Sequence, residues 1–361
     1  MPVSLDSLLK NLLLLFLAVA GLYYAQGFLI PLTLGALLAT LFLPLCRWLE
    51  SKKVPRIAAA LICLLLLLSF ITAMGFVLSW QIARLTDDIT LVKAKVIETA
   101  HFLEQYSHHT LGISNSEQSQ ILSHLQVTFA RYAEALPGYM THLFTGFVLT
   151  MVYILLLLYY RTHLKHFLFR LSSGMERQEM ETLITRATSV SQHYLTGLSK
   201  MIFCLWIMYG IGFSLFGVEN AVFFAILCGL LEIVPFIGNF TGTTITVLVA
   251  AANGVGFPVL AGIVFTYGMV QFIQGWILEP LILGPHVKIN PLATIIALVI
   301  GEILWGIPGI VLAIPMTAVL KIVCDQIPSL QPYGFLIGTI EDNKYSPLIG
   351  KIKGLLKRGR R

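Results

Sequence analysis

From residue 219 to residue 340 the chain is apolar almost without pause, yet Gly and Pro interrupt it repeatedly. In hydrocarbon every backbone N–H and C=O must be bonded, so a broken helix survives at membrane depth only where protein buries it or a wet cavity adjoins it. Three stretches fit that description. The first is Glu232-Ile-Val-Pro235-Phe-Ile-Gly238-Asn239, the second Glu279-Pro280 with Gly284-Pro285 behind it, and the third Gly301 to Gly309 with Pro315 beyond.

The rest of the chain requires a membrane as well. Hydrophobic residues make up 57% of the 361 and charged residues only 12%, against about 25% charged in an ordinary soluble domain. That excludes a soluble enzyme, a disordered chain and a disulfide scaffold. A span takes about 20 apolar residues, so this supply suits about eight spans or half-spans. The expected class is an all-α polytopic membrane protein.

Apolar runs are read at 8–26, 28–46, 57–80, 140–160 and 201–217, with a further full span at 257–279. The first run leads straight into the second without a small-residue cleavage site, which argues against a signal peptide. Residues 219–252 divide into two apolar halves, 219–235 and 240–252, the second too short to cross untilted, and residues 291–323 into 291–305 and 309–323. Two readings stay open: six full spans plus two opposed re-entrant hairpins, or eight crossing helices. Aligning Glu232 with Glu302 pairs EIVPFIGN with EILWGIPG, a weak internal repeat. Opposed hairpins related in this way point half-helix ends at a midplane site in transporters.

The formal net charge of +6 sits in short loops and at the C-terminus. This placement suits topology and lipid headgroups rather than nucleic acid. Arg47, Lys52, Lys53 and Arg56, the basic residues of 161–200 and the tail of 351–361 are read as cytoplasmic, with the N- and C-termini inside. Segment 84–138 is read as an outer pair of helices turning at Gly112–Ser116, and 163–199 as one amphipathic helix on the inner surface. The resulting units are 1–83, 84–138, 139–200, a transport core of 201–325 and a basic tail of 326–361.

Few ionisable groups fall inside the broken segments. Glu232 and Glu302 are the candidate ion- or proton-handling residues, because an intramembrane carboxylate is costly unless it has a role. Glu279, before a proline near the inner surface, reads more readily as a cap. No Lys or Arg lies between 201 and 287, so a buried Glu there carries a proton or holds a cation. Asn239, Gln271 and Gln274 are candidate pathway residues. Pro235, Gly238, Pro280, Gly306, Pro308 and Gly309 mark the breaks. Thr241, Thr243, Thr244 and Thr246 rank lower, since Thr hydroxyls commonly bond their own helix.

Other chemistry finds little support. P-loop and HExxH motifs are missing, and the spans hold no Asp pair. Four outer histidines, His101, His108, His109 and His124, lack a completing carboxylate or cysteine for zinc. The five cysteines read as small buried hydrophobes. No cofactor is expected, and the chain is not read as an enzyme.

Taken together, the Glu232–Gly238 element, Leu278-Glu-Pro-Leu-Ile-Leu-Gly284, Asn290-Pro291 and Gly301 through Pro315 resemble the AI-2E transporter family of PerM-type permeases. The similarity runs over nearly the whole chain. Asn239 stands where members commonly carry proline, and Pro285-His286 where a basic pair is common. The resemblance implies a bacterial inner-membrane transporter that exports an autoinducer-2-like solute, or exchanges sodium or lithium for protons. It also implies a homo-oligomer, of the pentamer kind. A passive channel and a membrane scaffold remain as alternatives. Expected partners are membrane lipids and a small polar solute, monovalent cation or proton.

Overall fold

The computed structural model describes residues 5–86, 115–171, 176–235, 237–282 and 288–339. These residues form helices throughout, with one isolated antiparallel bridge between Ile289 and Gly338. In chain order the helices are α1 (Leu5–Tyr24), α2 (Gln26–Ser51), α3 (Arg56–Thr86), α4 (Asn115–Leu171), α5 (Arg177–Leu215), α6 (Ala221–Leu231), α7 (Ile237–Ala252), α8 (Phe257–Ile273), α9 (Glu279–Ile282), α10 (Pro291–Gln326) and α11 (Gln331–Ile337). A π-helical turn, Gln274–Leu278, joins α8 to α9.

Among the described residues six helical segments have the length and apolar composition to cross a membrane: Gln26–Ser51, Arg56–Trp80, Thr141–Leu171, Arg177–Leu215, Phe257–Ile282 and Pro291–Gln326. Their outer faces confirm the solvent they need. Leu65, Leu66, Phe70 and Phe76 of α3 are exposed, as are Phe203 and Ile207 of α5 and Phe265 and Phe272 of α8. Exposed apolar faces this extensive mark a membrane surface on a natural protein.

Two packing units hold the helices together. In the first, α2, α3 and α4 meet through small residues: Ala39, Cys46, Ala59, Ala60 and Cys63 pack with Ile154 and Leu158. Small residues let membrane helices approach closely, where dispersion rather than hydrophobic burial drives contact. A Cβ on Gly35 of α2 would come 2.8 Å from the Cβ of Tyr153 on α4. In the second unit, Leu205, Tyr209 and Phe213 of α5 pack with Phe223, Phe224 and Cys228 of α6 and Ile263 and Val270 of α8.

Several boundaries differ from the sequence reading. Only Ala25 separates α1 from α2, and Leu29 N donates to Ala25 O while Ala25 N donates to Gly21 O. Helical bonding therefore runs through the junction, and no reversing loop joins the first two apolar runs. The fourth span is the middle of a 57-residue helix, about 86 Å long at 1.5 Å per residue. It continues from the segment read as outer, below residue 139, into the basic stretch beyond residue 161. The expected single helix over 163–199 is the end of α4 followed by the start of α5, clipped together by Lys165 Nζ and Glu181 Oε1 at 2.6 Å. Arg177 also lies over the Phe169 ring, 5.4 Å from its centre. Most of the expected outer turn, His101, His108, His109 and the basic tail of 351–361 lie outside the described residues.

The two segments with broken halves both double back. A Cβ on Gly238, at the start of α7, would collide with the Leu231 carbonyl at the end of α6. Further along, a Cβ on Gly242 would lie 3.1 Å from Cys228 Cα, so α6 and α7 run antiparallel after the turn that begins at 232–235. Within α10 the reversal is at Gly306, with φ 60° and ψ −140°, a conformation that L side chains rarely adopt. Gly301 and Gly309 then face each other backbone to backbone, where a Cβ on either would strike the other's carbonyl. Pro308 opens the returning half, where a missing N–H costs least. Each of the two segments is thus a helical hairpin.

Candidate functional site

The first hairpin ends α6 at Glu232, which is only 6% exposed. Pro235 follows within the break and lacks an N–H to donate, so the turn cannot be rewound into α-helix. The tight Leu231–Gly238 approach brings Asn239, on the first turn of α7, back beside the acid. Asn239 is 3% exposed.

Gln274 of the adjacent span completes the cluster. Its Nε2 donates to Glu232 Oε1 at 2.5 Å, and its Oε1 accepts from Asn239 Nδ2 at 3.4 Å. The same Nε2 lies 3.4 Å from Glu279 Oε1. One amide thereby bridges two carboxylates and a second amide, all from segments that sequence marks as broken.

The π turn explains why Gln274 points there. Pro280 cannot donate to the carbonyl four residues back, and its ring would clash with that carbonyl in an α-helix. The chain instead widens, and Glu279 N donates to Gln274 O, five residues earlier. Pro280 therefore does not end the helix; it converts one turn to π geometry and α9 continues beyond it. Single π turns recur at functional sites.

The cluster is incompletely satisfied. Glu232 Oε2, Asn239 Oδ1, Thr243 Oγ1, Thr266 Oγ1, Tyr209 OH and Gln271 Nε2 are buried atoms with no hydrogen-bond partner among the described residues. Tyr209 of α5 faces Gln271. Buried polar groups are normally bonded, and exceptions call for an explanation such as water, an ion or a ligand. The unpaired Glu232 Oε2 and Asn239 Oδ1 beside Gln274 are acceptors of the kind that water, a cation or a solute hydroxyl satisfies.

The structure gathers Glu232, Asn239 and Gln274, and places Gln271 on the same span. It does not bring Glu302 to them. Glu302 is exposed on α10, one turn before the Gly306 reversal. On the alignment that pairs the two acids, both chain reversals fall within the four residues that follow, but only Glu232 turns inward. Tyr209 and Thr266 were not picked out from sequence, and Thr243 ranked low, because a hydroxyl inside an apolar helix looks the same whether it faces a polar site or bonds its own carbonyl. Thr246 does the latter, donating to Gly242 O at 2.8 Å.

The described residues form an all-helical, multi-pass membrane protein with a buried carboxylate–amide cluster beside broken helices, and its relatives are membrane transport proteins. Comparison places it more closely: the family model described as "AI-2E family transporter" matches residues 12–329, and the chain belongs to that family. It is similar to the Bacillus subtilis "Putative transport protein YrrI", 26% identical over 303 residues, covering 81% of this chain and 84% of the relative. The Bacillus subtilis "Putative transport protein YueF" is 27% identical over 333 residues, 86% of this chain and 89% of the relative. The Escherichia coli "Putative transport protein YhhT" is 25% identical over 342 residues, 92% of this chain and 94% of the relative.

Proposed function

We propose that this membrane transport protein is a secondary transporter that exports a small polar solute of the autoinducer-2 kind, coupled to protons at Glu232. The observation that carries the reading is the buried Glu232–Gln274–Asn239 cluster, which has no Lys or Arg within its own segments. A passive pore has no use for a buried acid held by a single amide donor. Glu232 in this reading alternates between a proton and the unpaired groups around it as the hairpins shift. The two hairpins are re-entrant, and their movement against the α2–α3–α4 unit exposes the cluster to each side in turn.

A second reading, exchange of sodium or lithium for protons, is favoured by the oxygen-rich donor set of Glu232 Oε2, Asn239 Oδ1, Thr243 Oγ1 and Tyr209 OH. Hard monovalent cations prefer such oxygens. Both readings place the basic loops on the cytoplasmic face of a bacterial inner membrane. Assembly as a homo-oligomer, a pentamer on the family resemblance, goes with them.

Proteoliposome flux separates these readings. With a pH gradient imposed, the wild type moves autoinducer-2 or sodium in a saturable, gradient-dependent manner, and the solute that moves names the reading. Glu232→Gln, isosteric but unable to ionise, abolishes coupling while the protein elutes and melts as the wild type does. Unchanged flux and pH dependence in Glu232→Gln would remove the acid from the mechanism.

A further inference from the structure

Two thiols, a carboxylate and a guanidinium meet inside the α2–α3–α4 unit, apart from Glu232 and its partners. Cys46 and Glu50 lie one turn apart on α2, Arg161 reaches both from α4, and Cys63 faces Cys46 from α3. We propose that Cys46 is a hydroperoxide-reactive thiol and that Cys63 resolves its sulfenic acid into a reversible disulfide joining α2 to α3.

The surroundings of Cys46 supply each part of that chemistry. Its Sγ donates to Glu50 Oε1 at 3.6 Å, and Arg161 Nη1 donates to the same sulfur at 3.4 Å. Arg161 Nη2 also pairs with Glu50 Oε2, which holds the guanidinium against the thiol. A proton passed from Cys46 to Glu50 exchanges one ion pair, guanidinium and carboxylate, for another, guanidinium and thiolate. The net charge of the cluster is unchanged, so no unpaired buried charge, the costly species, is created. A neighbouring arginine favours the thiolate, which is the nucleophile. Cys63 is placed to follow. Its Sγ lies 4.0 Å from Phe42 O, one turn before Cys46 on α2, and its thiol interacts with that of Cys46. Both cysteines are fully buried, packed with Ala39, Ala59 and Ala60, small residues that let α2 and α3 come close. The way in runs along Glu50 and Arg161, whose side chains are each 20% exposed. Hydrogen peroxide is little larger than the water that reaches them.

With hydrogen peroxide the steps balance. The Cys46 thiolate attacks one peroxide oxygen. An S–O bond forms, the O–O bond breaks, and the leaving hydroxide takes the proton from Glu50 to become water. The Cys63 sulfur then attacks the Cys46 sulfur. An S–S bond forms, the S–O bond breaks, and the second hydroxide leaves as water with the Cys63 proton. The two thiols give up two electrons, and one peroxide is reduced to two waters. The bond closes the chain across the basic turn that carries Lys52, Lys53 and Arg56, and it withdraws the Cys46 sulfur from Arg161.

The test uses the full chain, purified reduced, freed of reductant and treated with a small molar excess of hydrogen peroxide. Remaining thiols are alkylated under denaturing conditions, and non-reduced peptides are mapped by mass spectrometry. The expected product is a peptide pair linked through Cys46 and Cys63 and released by dithiothreitol. Cys228 and Cys324, also buried but away from Arg161, stay free. In Cys63→Ser, which keeps the size of the side chain, dimedone captures the sulfenic acid at Cys46. Arg161→Gln slows oxidation of Cys46 about tenfold, the worth of one charge-assisted hydrogen bond, and Arg161→Lys restores most of the rate. An arginine with a structural role alone would move melting and leave that rate unchanged. Free thiols at 46 and 63 after treatment, oxidation of Cys46 no faster than that of Cys228, a Cys63→Ser protein without a dimedone adduct, or the wild-type rate in folded Arg161→Gln would each overturn the proposal. Thiol chemistry rather than flux is read, so the outcome is independent of the transport mechanism.

Discussion

Among the described residues the side-chain donor to the Glu232 carboxylate is Gln274. Replacing Gln274 with Leu keeps the volume close but strips the acid of that hydrogen bond. A hydrogen bond to a charged group is worth about 1.5–3 kcal/mol, so coupled flux through Gln274→Leu is expected to fall by about tenfold or more, with melting lowered by the unsatisfied buried acid. Transport assays on purified variant protein check this, and flux at the wild-type level would show that the amide is structural packing only. At this scale the sequence was informative about which residues matter and silent about which way they face. Glu232 and Glu302 sit in matching positions of a weak repeat, yet one is buried and the other exposed. Helix rotation about the break decides that, and composition does not encode it. Gln274 was legible as a candidate, but its contact with Glu279 depends on the π turn that Pro280 imposes.

Among the elements, the helical hairpins carry the most information. Gly301 and Gly309 oppose each other so closely that neither has room for a methyl group. Gly309→Ala is therefore expected to push the two halves of α10 apart and to cost about 1–3 kcal/mol, the usual penalty of overpacking. A fall in thermal stability measures it, whereas unchanged stability would mean that the halves do not pack as described. Breaks at 232–239 and 301–309 could be read from Gly and Pro placement, because Pro removes a helical donor and Gly permits the close approaches at 238, 301 and 309 and the positive φ at Gly306. The loops between long helices were less legible. Two apolar runs at 8–26 and 28–46 looked like two antiparallel spans, but Ala25 carries helical bonding straight across. Polar or small residues such as Gln26 and Gly27 are compatible with either outcome. The parity of spans therefore no longer stands behind the sidedness read from the basic loops. Likewise α4 runs on for 57 residues because nothing between Thr141 and Leu171 forbids helix; Pro137, in the same helix, did not stop it.

Considering the whole molecule, two units are visible: α2–α3–α4 around small residues, and α5–α8 around large ones. The second hairpin touches both neighbourhoods. Its Trp305 Nε1 donates to Leu22 O of α1 at 2.9 Å, and its base is stapled by Asn290. That asparagine caps α10 by accepting from Ala293 N at 2.8 Å. It also donates to Leu336 O at 2.6 Å and Gly338 O at 2.9 Å. Asn290→Ala removes all three bonds and is expected to cost about 2–4 kcal/mol. Hydrogen exchange should show faster opening at 288–295 and 331–339 before the α5–α8 core is affected; a global loss of protection instead would mean the hairpin base is not an independent unit.

The central claim is that a polar chamber reached by water lies between the first hairpin and the span bearing Gln271 and Gln274. Cysteine scanning tests it most directly. In a background with the five native cysteines replaced, Gln271→Cys is treated with a charged, membrane-impermeant thiol reagent in native-like vesicles. Labelling of that position, suppressed by the transported solute, is the predicted result. A thiol at 271 that never reacts from either aqueous face, in protein that still transports, would contradict the account.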